Sequence, residues 1–127
     1  MAVYGVGAYY GYDVSQDFIT NRIVGVGWSQ ADAPELQEYF RSLKVGDIVY
    51  IKASAFGSAN ITVKAIGLIE DNIILSNNLV TTGRNVKWVF TNIFTIPRPT
   101  EKNNVRSNTV YEEFHPEILR EIIARIN

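Results

Sequence analysis

Cysteine is absent from this chain of 127 residues, and histidine occurs once, as His115. Without cysteine there are no disulfides, no thiolate nucleophile and no cysteine-ligated zinc. A zinc site built on a single histidine would need several carboxylates at suitable spacing, and the sequence shows none. The apolar runs are too short to cross a bilayer as a helix, and the N-terminus lacks the pattern of a signal peptide. We therefore expect a cytoplasmic protein with no metal, no cofactor and no membrane partner.

An excess of charge of either sign is also lacking, since 12 Lys and Arg stand against 13 Asp and Glu. This balance argues against a protein that binds nucleic acid non-specifically over its whole surface. Between residues 84 and 106, however, five basic residues accompany a single acid. Such a segment is either a set of phosphate contacts or a solvated loop. The predicted phosphate contacts are Arg84, Lys87, Arg98, Lys102 and Arg106.

The hydrophobic pattern predicts a single α+β domain over residues 1–127. Apolar and alternating runs predict strands over residues 2–8, 23–27, 48–53, 61–69, 73–75 and 85–96. Helix-start residues and helical spacing predict helices over residues 14–20, 33–43 and 116–126. Residues 97–108 are predicted to be a polar loop, and residues 109–127 a C-terminal helical extension that docks on the body. Many short strands with bending glycines favour a small, strongly bent mixed β-sheet or pseudo-barrel with flanking helices.

Groups suited to catalysis are few. His115 precedes Pro116 at a predicted helix start, where a capping or exposed role is the simpler interpretation. Glu112 and Glu113 have no visible partner for acid–base chemistry. Other carboxylates stand mostly near helix starts, where they favour the helix dipole: Asp13, Asp17, Asp32, Glu35 and Glu38. We predict a protein that is not an enzyme, with a hydrolase as a minor alternative.

Aromatic residues are plentiful, with seven Tyr, six Phe and two Trp. A base is held in proteins by aromatic stacking and by hydrogen bonds to its edge. Trp28 ends a strand in which Gly25 and Gly27 leave room for a flat ligand. The predicted ligand-binding residues are Tyr9, Tyr10, Tyr12, Trp28, Ser29, Gln30, Lys52 and Trp88. The alternatives are that Trp28 and Trp88 are core residues, and that Lys52, like Lys64, is a surface residue whose stem lies on apolar surface.

Four segments follow one another in a recognisable order: Ile23–Trp28 (IVGVGW), Val45–Ala53 (VGDIVYIKA), Val63–Ile69 (VKAIGLI) and Val86–Trp88 (VKW). This order resembles the EVE-like branch of the PUA superfamily, whose small pseudo-barrel domains often accompany bacterial restriction and defence enzymes. The resemblance covers about residues 3–92 and leaves the last part of the chain unexplained. It implies a pocket that receives a base, often a modified one, from nucleic acid.

Three functions are compatible with these features. The first is a non-catalytic binding module with an aromatic pocket for a modified base in nucleic acid. The second is a protein that binds or sequesters a free nucleotide-derived signal, as in phage–host conflict and phage defence. The third is an assembly protein that forms a homo-oligomer through its C-terminal helix.

Overall fold

The computed structural model describes residues 1–29, 31–53, 59–100, 106 and 108–127. Two predicted site residues, Gln30 and Lys102, lie outside these described residues. Half of the predicted polar loop over residues 97–108 also lies outside them.

Seven strands and three helices make up the described fold. In chain order they are β1 (Val3–Gly7), α1 (Ser15–Asn21), β2 (Ile23–Val26), α2 (Pro34–Ser42), β3 (Ile48–Ala53), β4 (Asn60–Leu75), β5 (Thr82–Phe90), β6 (Phe94–Pro97), β7 (Val110–Glu112) and α3 (Pro116–Ala124). The sheet order is β2-β5-β4-β3-β1-β7, and β6 also pairs with β4. Only the β1–β3 pair is parallel. The predicted α+β fold with a strongly bent mixed sheet is confirmed.

Strand β4 is longer than the sequence predicted. It runs without interruption for 16 residues, where two strands over 61–69 and 73–75 were expected. Its pairing with β5 shifts register at Ile66/Gly67 and again between Ile69 and Ile74, so the strand bends without ending. A Cβ atom on Gly67 would lie 2.5 Å from Cγ1 of Val86, which explains why glycine stands at the bend.

The predicted strand over residues 85–96 is divided in two, because β5 and β6 pair with different parts of β4. Phe90 at the end of β5 lies opposite Ile66, and Phe94 at the start of β6 lies opposite Val63. Strand β7 was not predicted. It pairs antiparallel with β1, so the C-terminal segment adds a strand to the sheet before its helix begins.

The sheet is buried on both faces, and the helices divide between them. Val49 and Ile51 of β3 belong to one core cluster together with Phe18 of α1 and Phe40 of α2. Successive strand residues point to opposite faces, and Ile48 and Tyr50 accordingly belong to a second cluster. Ile118 and Ile122 of α3 are fully buried in that second cluster. The predicted docking of the C-terminal helix is confirmed. Within the described ranges, no helix has the length and apolar character needed to cross a membrane.

The three helix starts differ in how they are capped. At α3, Nδ1 of His115 accepts a hydrogen bond from the backbone N–H of Glu117 at 3.2 Å, which confirms the capping interpretation of this histidine. Before α1, Oδ1 of Asp13 accepts from the backbone N–H of Ser15 at 2.8 Å. At α2 the residue in the capping position is Ala33, and the carboxylate of Asp32 instead accepts from the Ser29 hydroxyl at 2.7 Å.

Candidate functional site: an aromatic groove and its neighbours

Trp28 and the tyrosine loop of residues 9–12 meet at one groove, which we call the aromatic groove. It has a volume of about 560 Å³. Its walls are Tyr9, Tyr10, Gly11, Gly27, Trp28, Asn78 and Leu79. Trp28 is 57% exposed and Tyr9 is 73% exposed, so neither ring is part of the core. Two large aromatic rings thus face solvent at the mouth of a single concave surface.

The backbone beneath Trp28 is fixed, although its ring is exposed. The carbonyl oxygen of Trp28 accepts hydrogen bonds from Nε2 of Gln37 at 2.7 Å and from Oγ1 of Thr81 at 2.6 Å. Gln37 lies on α2 and is fully buried, and its Oε1 accepts from the hydroxyl of Thr82. Gln37 and Thr81 therefore hold the backbone at Trp28, just after the end of β2, in place.

Tyr10 forms the floor of the groove because of the glycine opposite it. A Cβ atom on Gly27 would lie 2.9 Å from Cε2 of Tyr10, so the ring packs directly on the strand backbone. The ring also meets Phe18 edge-on at a centroid distance of 6.2 Å. Burial raises the pKa of the Tyr10 hydroxyl, with a smaller contribution from Tyr12, which keeps the hydroxyl protonated at neutral pH.

Gly25 in β2 and Gly27 just after it do not leave the empty space that the sequence analysis expected. Next to Gly27 the space is filled by the Tyr10 ring. Next to Gly25 a Cβ atom would lie 2.5 Å from the carbonyl oxygen of Thr82 on the paired strand β5. Both glycines allow close packing of the protein on itself, and the groove opens beside the Trp28 ring instead.

The remaining predicted ligand residues are dispersed. Tyr12 is 62% exposed but does not line the groove. Ser29 donates its hydroxyl to Asp32. Trp88 packs on the first core cluster, and its Nε1 donates to the carbonyl oxygen of Phe18 at 3.1 Å. Trp88 is therefore a partly buried residue packed against the core, which favours the alternative interpretation.

Asn78 and Leu79 line the groove but were missed by the sequence analysis. They lie in the turn between β4 and β5, far from Trp28 in the chain. The side-chain oxygen of Asn77 accepts from the backbone N–H groups of Leu79 and Val80, at 2.8 and 2.9 Å, and holds this turn. The consecutive Asn77 and Asn78 were a turn signal, but nothing in the sequence indicated which surface the turn would reach.

The predicted basic segment does not form one surface patch. Arg84 is buried and donates to the carbonyl oxygens of Phe40 at 3.0 Å and Asp71 at 2.7 Å, and also to that of Leu43. Arg106 is buried in an ion pair whose Nη2–Oε2 distance to Glu113 is 2.5 Å. Neither guanidinium is available to a phosphate in solvent. Lys87 is exposed and Arg98 is half-buried.

Lys52 and Lys64 meet at a second cavity of about 540 Å³, which we call the lysine cavity. Tyr9 lines both this cavity and the aromatic groove, so the loop of residues 9–13 separates the two. Lys64 forms an ion pair with Asp13, and this pairing lowers the pKa of the Asp13 carboxyl to about 2. Lys52 was predicted to contact ligand in the aromatic pocket, but it lies in this neighbouring cavity.

A third cavity, of about 650 Å³, lies beside β7 and contains Glu113 and His115 in its wall. The hydrogen bonds that the structure shows for these two residues have structural roles. Glu113 is buried and accepts hydrogen bonds from the Tyr50 hydroxyl at 2.8 Å and from Arg106. His115 caps α3. Within the described ranges, no three His, Cys, Asp or Glu side chains are grouped to hold a metal ion.

Comparisons with protein-family models, with curated proteins and with solved structures find no match to this chain. The resemblance to the EVE-like domains therefore stays a prediction from the sequence.

Proposed function

We propose that this domain is a non-catalytic binding module whose aromatic groove holds a nucleobase, in particular a modified base in nucleic acid. The observation that carries the proposal is the exposed Trp28 ring on a fixed backbone, lining the same concave surface as Tyr9. A large apolar ring kept in water costs hydrophobic free energy, and an exposed aromatic ring is suited to stacking. Stacking of a base on an aromatic side chain is worth about 1–3 kcal/mol.

The chemistry of the groove wall suits the flat, neutral part of a nucleotide. None of the described residues that line it carries a charge. The side-chain amide of Asn78 offers both a donor and an acceptor to the edge of a base, whereas the Tyr10 hydroxyl donates its proton to the carbonyl oxygen of Gly25 and leaves its oxygen as an acceptor. Leu79 presents apolar surface to a substituent such as the methyl group of a modified base.

The second candidate function is binding of a free nucleotide-derived signal. The scarcity of accessible positive charge favours it, because the net charge is −1 and two of the predicted phosphate contacts are buried. A polynucleotide reader usually presents several accessible basic side chains to the phosphate backbone. Native mass spectrometry of gently purified protein would distinguish the two candidates by the size of any ligand retained.

Replacement of Trp28 tests the groove. Trp28→Ala is expected to weaken binding about tenfold to a hundredfold, because the stacking energy is lost and about 1.4 kcal/mol is a factor of ten. Its midpoint of thermal unfolding should change little, because the ring is mostly exposed. Binding is measured by calorimetry with the common nucleosides and their methylated forms as probes.

Phe114→Ala is the matched control, because Phe114 is 73% exposed and does not line the groove. It removes an exposed aromatic ring and should leave binding unchanged. Normal binding by a folded Trp28→Ala variant would overturn the proposal.

A further inference from the structure

Strand β4 departs from regular pairing at Lys64. Ile51 and Lys52 are consecutive residues of β3, but their partners on β4, Ala65 and Val63, are not consecutive. Lys64 is therefore the extra residue of a β-bulge. Regular alternation would place Val63 and Ala65 on one face of the sheet, yet Val63 belongs to the second core cluster and Ala65 to the first. The bulge thus changes the direction of the side chains around Lys64.

The side chain of Lys64 reaches the loop that forms one wall of the aromatic groove. Its Nζ forms an ion pair with Oδ2 of Asp13. The other carboxylate oxygen, Oδ1, accepts hydrogen bonds from the backbone N–H of Ser15 at 2.8 Å and from the Ser15 hydroxyl at 2.5 Å. The hydrogen bond from Lys64 and then those from Ser15 lower the pKa of the Asp13 carboxyl to about 2, so it is charged at neutral pH. Strand β4 is thereby joined to the residues before α1.

Asp13 also ends the short loop that carries Tyr9. The two residues face each other as an isolated antiparallel bridge. Just outside this bridge, the backbone N–H of Val14 donates to the carbonyl oxygen of Ala8 at 2.9 Å. The loop of residues 9–13 is therefore closed at its base, and a displacement of Asp13 would carry Tyr9 with it.

The two tyrosines of the groove wall differ in what holds their rings. The Tyr10 ring packs directly on the backbone at Gly27 and meets Phe18 edge-on. Tyr9 is 73% exposed, and none of the aromatic pairs among the described residues includes it. The position of the Tyr9 ring therefore depends on the backbone of its loop, and that backbone is tied to β4 through Asp13.

We propose that Lys64 is a positioning residue for the aromatic groove: through its ion pair with Asp13, it holds the loop of residues 9–13 where Tyr9 and Trp28 can contact the same base. This inference rests on the proposed function of the groove. Lys64 lines the lysine cavity and not the groove, so it acts on the ligand through the loop and not by contact. Its effect on binding therefore requires no charge on the ligand.

The test uses uncharged probes, because a phosphate would also respond to the loss of a cation. The common nucleosides and their uncharged methylated forms are titrated into the full chain by calorimetry. Lys64→Met keeps the apolar stem and should weaken binding about threefold to tenfold, between the values for an exposed ion pair and for a charge-assisted hydrogen bond. Lys64→Arg, which keeps the charge, should restore most of the affinity. Lys44→Met, which removes an exposed lysine outside both cavities, should leave binding unchanged.

Asp13→Asn provides a second variant on a different part of the chain. It should weaken nucleoside binding to a similar degree, and its addition to Lys64→Met should have little further effect, because both changes break the same ion pair. Hydrogen exchange of the free protein reports on the loop without a ligand. The amides of Tyr10 and Val14, whose hydrogen bonds lie within and beside the loop, should exchange faster in Lys64→Met, while those of β3 stay unchanged.

The outcomes separate the two proposals. If the wild-type protein binds nucleosides and a folded Lys64→Met variant binds them equally well, the positioning role is overturned and the groove stands. If no nucleoside binds to the wild-type protein, the proposed function is overturned together with the role of Lys64 in binding, and faster exchange of the loop amides in Lys64→Met would leave Lys64 as an anchor of the loop alone. Faster exchange throughout the chain, with a lower midpoint of thermal unfolding, would overturn the positioning role, because Lys64 would then stabilise the whole fold.

Discussion

Arg84 is a charged residue in a structural role. Its guanidinium group lies at the C-terminal end of α2, where it donates to the carbonyl oxygens of Phe40 and Leu43. The last carbonyl groups of a helix have no hydrogen-bond partner within the helix. A planar guanidinium group can donate hydrogen bonds to several of these carbonyl oxygens at once. Together with its bond to the carbonyl oxygen of Asp71, Arg84 ties α2 to β4.

We predict that Arg84→Met lowers the free energy of unfolding by about 2–4 kcal/mol, because buried carbonyl groups lose their donors. Arg84→Lys should recover only part of this, since one ammonium group cannot reproduce the geometry of the fork. Urea denaturation measures the effect, and Lys87→Met, an exposed substitution on the same strand, is the control. An Arg84→Met protein as stable as the wild type would contradict the assignment.

The lowered pKa of Lys52 predicts how the free energy of unfolding depends on pH. Its pKa is lowered from 10.5 to about 8 in the folded state. Between these values the unfolded chain holds a proton that the folded chain has lost, so the unfolding free energy rises with pH. Above about pH 10 the effect reverses, because burial raises the pKa of Tyr10, Tyr50 and Tyr111 above 10.0. We therefore expect the stability of the wild-type protein to rise between about pH 8 and 10, and this rise to be absent in Lys52→Met. Thermal unfolding measured from pH 7 to 11 tests this, and parallel profiles for the two proteins would refute it.

At the scale of the element, the groove depends on how the end of β2 packs. Gly27→Ala would place a Cβ atom within 3.0 Å of two atoms of the Tyr10 ring, so the ring must move. We predict weaker nucleoside binding with a modest loss of stability, measured by calorimetry and thermal unfolding. In Tyr10→Leu protein the same Gly27→Ala change should have a smaller effect, because the clash is no longer present. Equal effects in both backgrounds would mean that Tyr10 does not transmit the change.

The elements that the sequence predicted well are those specified by local patterns. Helix α3 was recognisable because Pro116 and the spacing of Ile118 and Ile122 agree, and β3 because it begins with an apolar run from Ile48 to Ile51. Strand β7 has three residues and shows no periodicity. The length of β4 depends on its pairing with β5 and β6 along different parts of the strand. The local sequence pattern holds no information about that pairing.

The site was predictable to a similar degree. Trp28 stood out because it follows a glycine-rich strand, and the tyrosine loop because three tyrosines fall within four residues. The burial of Arg84 and Arg106 depends on helix ends and carboxylates that lie elsewhere in the chain, so composition alone suggested a surface patch. Lys52 lies outside the aromatic groove because the loop that carries Tyr9 separates the two in space, which the local sequence does not indicate.

For the whole molecule, the number of accessible cations limits how strongly salt can act on nucleic-acid binding. Among the described residues, four basic side chains near the proposed site or on the predicted segment are at least partly accessible: Lys52, Lys64, Lys87 and Arg98. At about 0.7 per phosphate contact on a single strand, the logarithm of affinity should fall with the logarithm of salt concentration with a slope of about 3 or less. Fluorescence anisotropy with a labelled single-stranded oligonucleotide measures the slope. A slope above about 5 would mean that a basic surface outside these four residues is involved.

Strand β1 lies between β3 and β7, so its five residues pair with segments that are translated much later. At about 5–20 residues per second, Tyr4 and Val6 leave the ribosome about 5–20 s before their β7 partners are synthesised. During that interval the nascent sheet has an open edge, which is a surface on which other strands can pair. Completion of this part of the sheet therefore waits for β7, and a chaperone or a neighbouring nascent chain has its opportunity to act before β7 pairs.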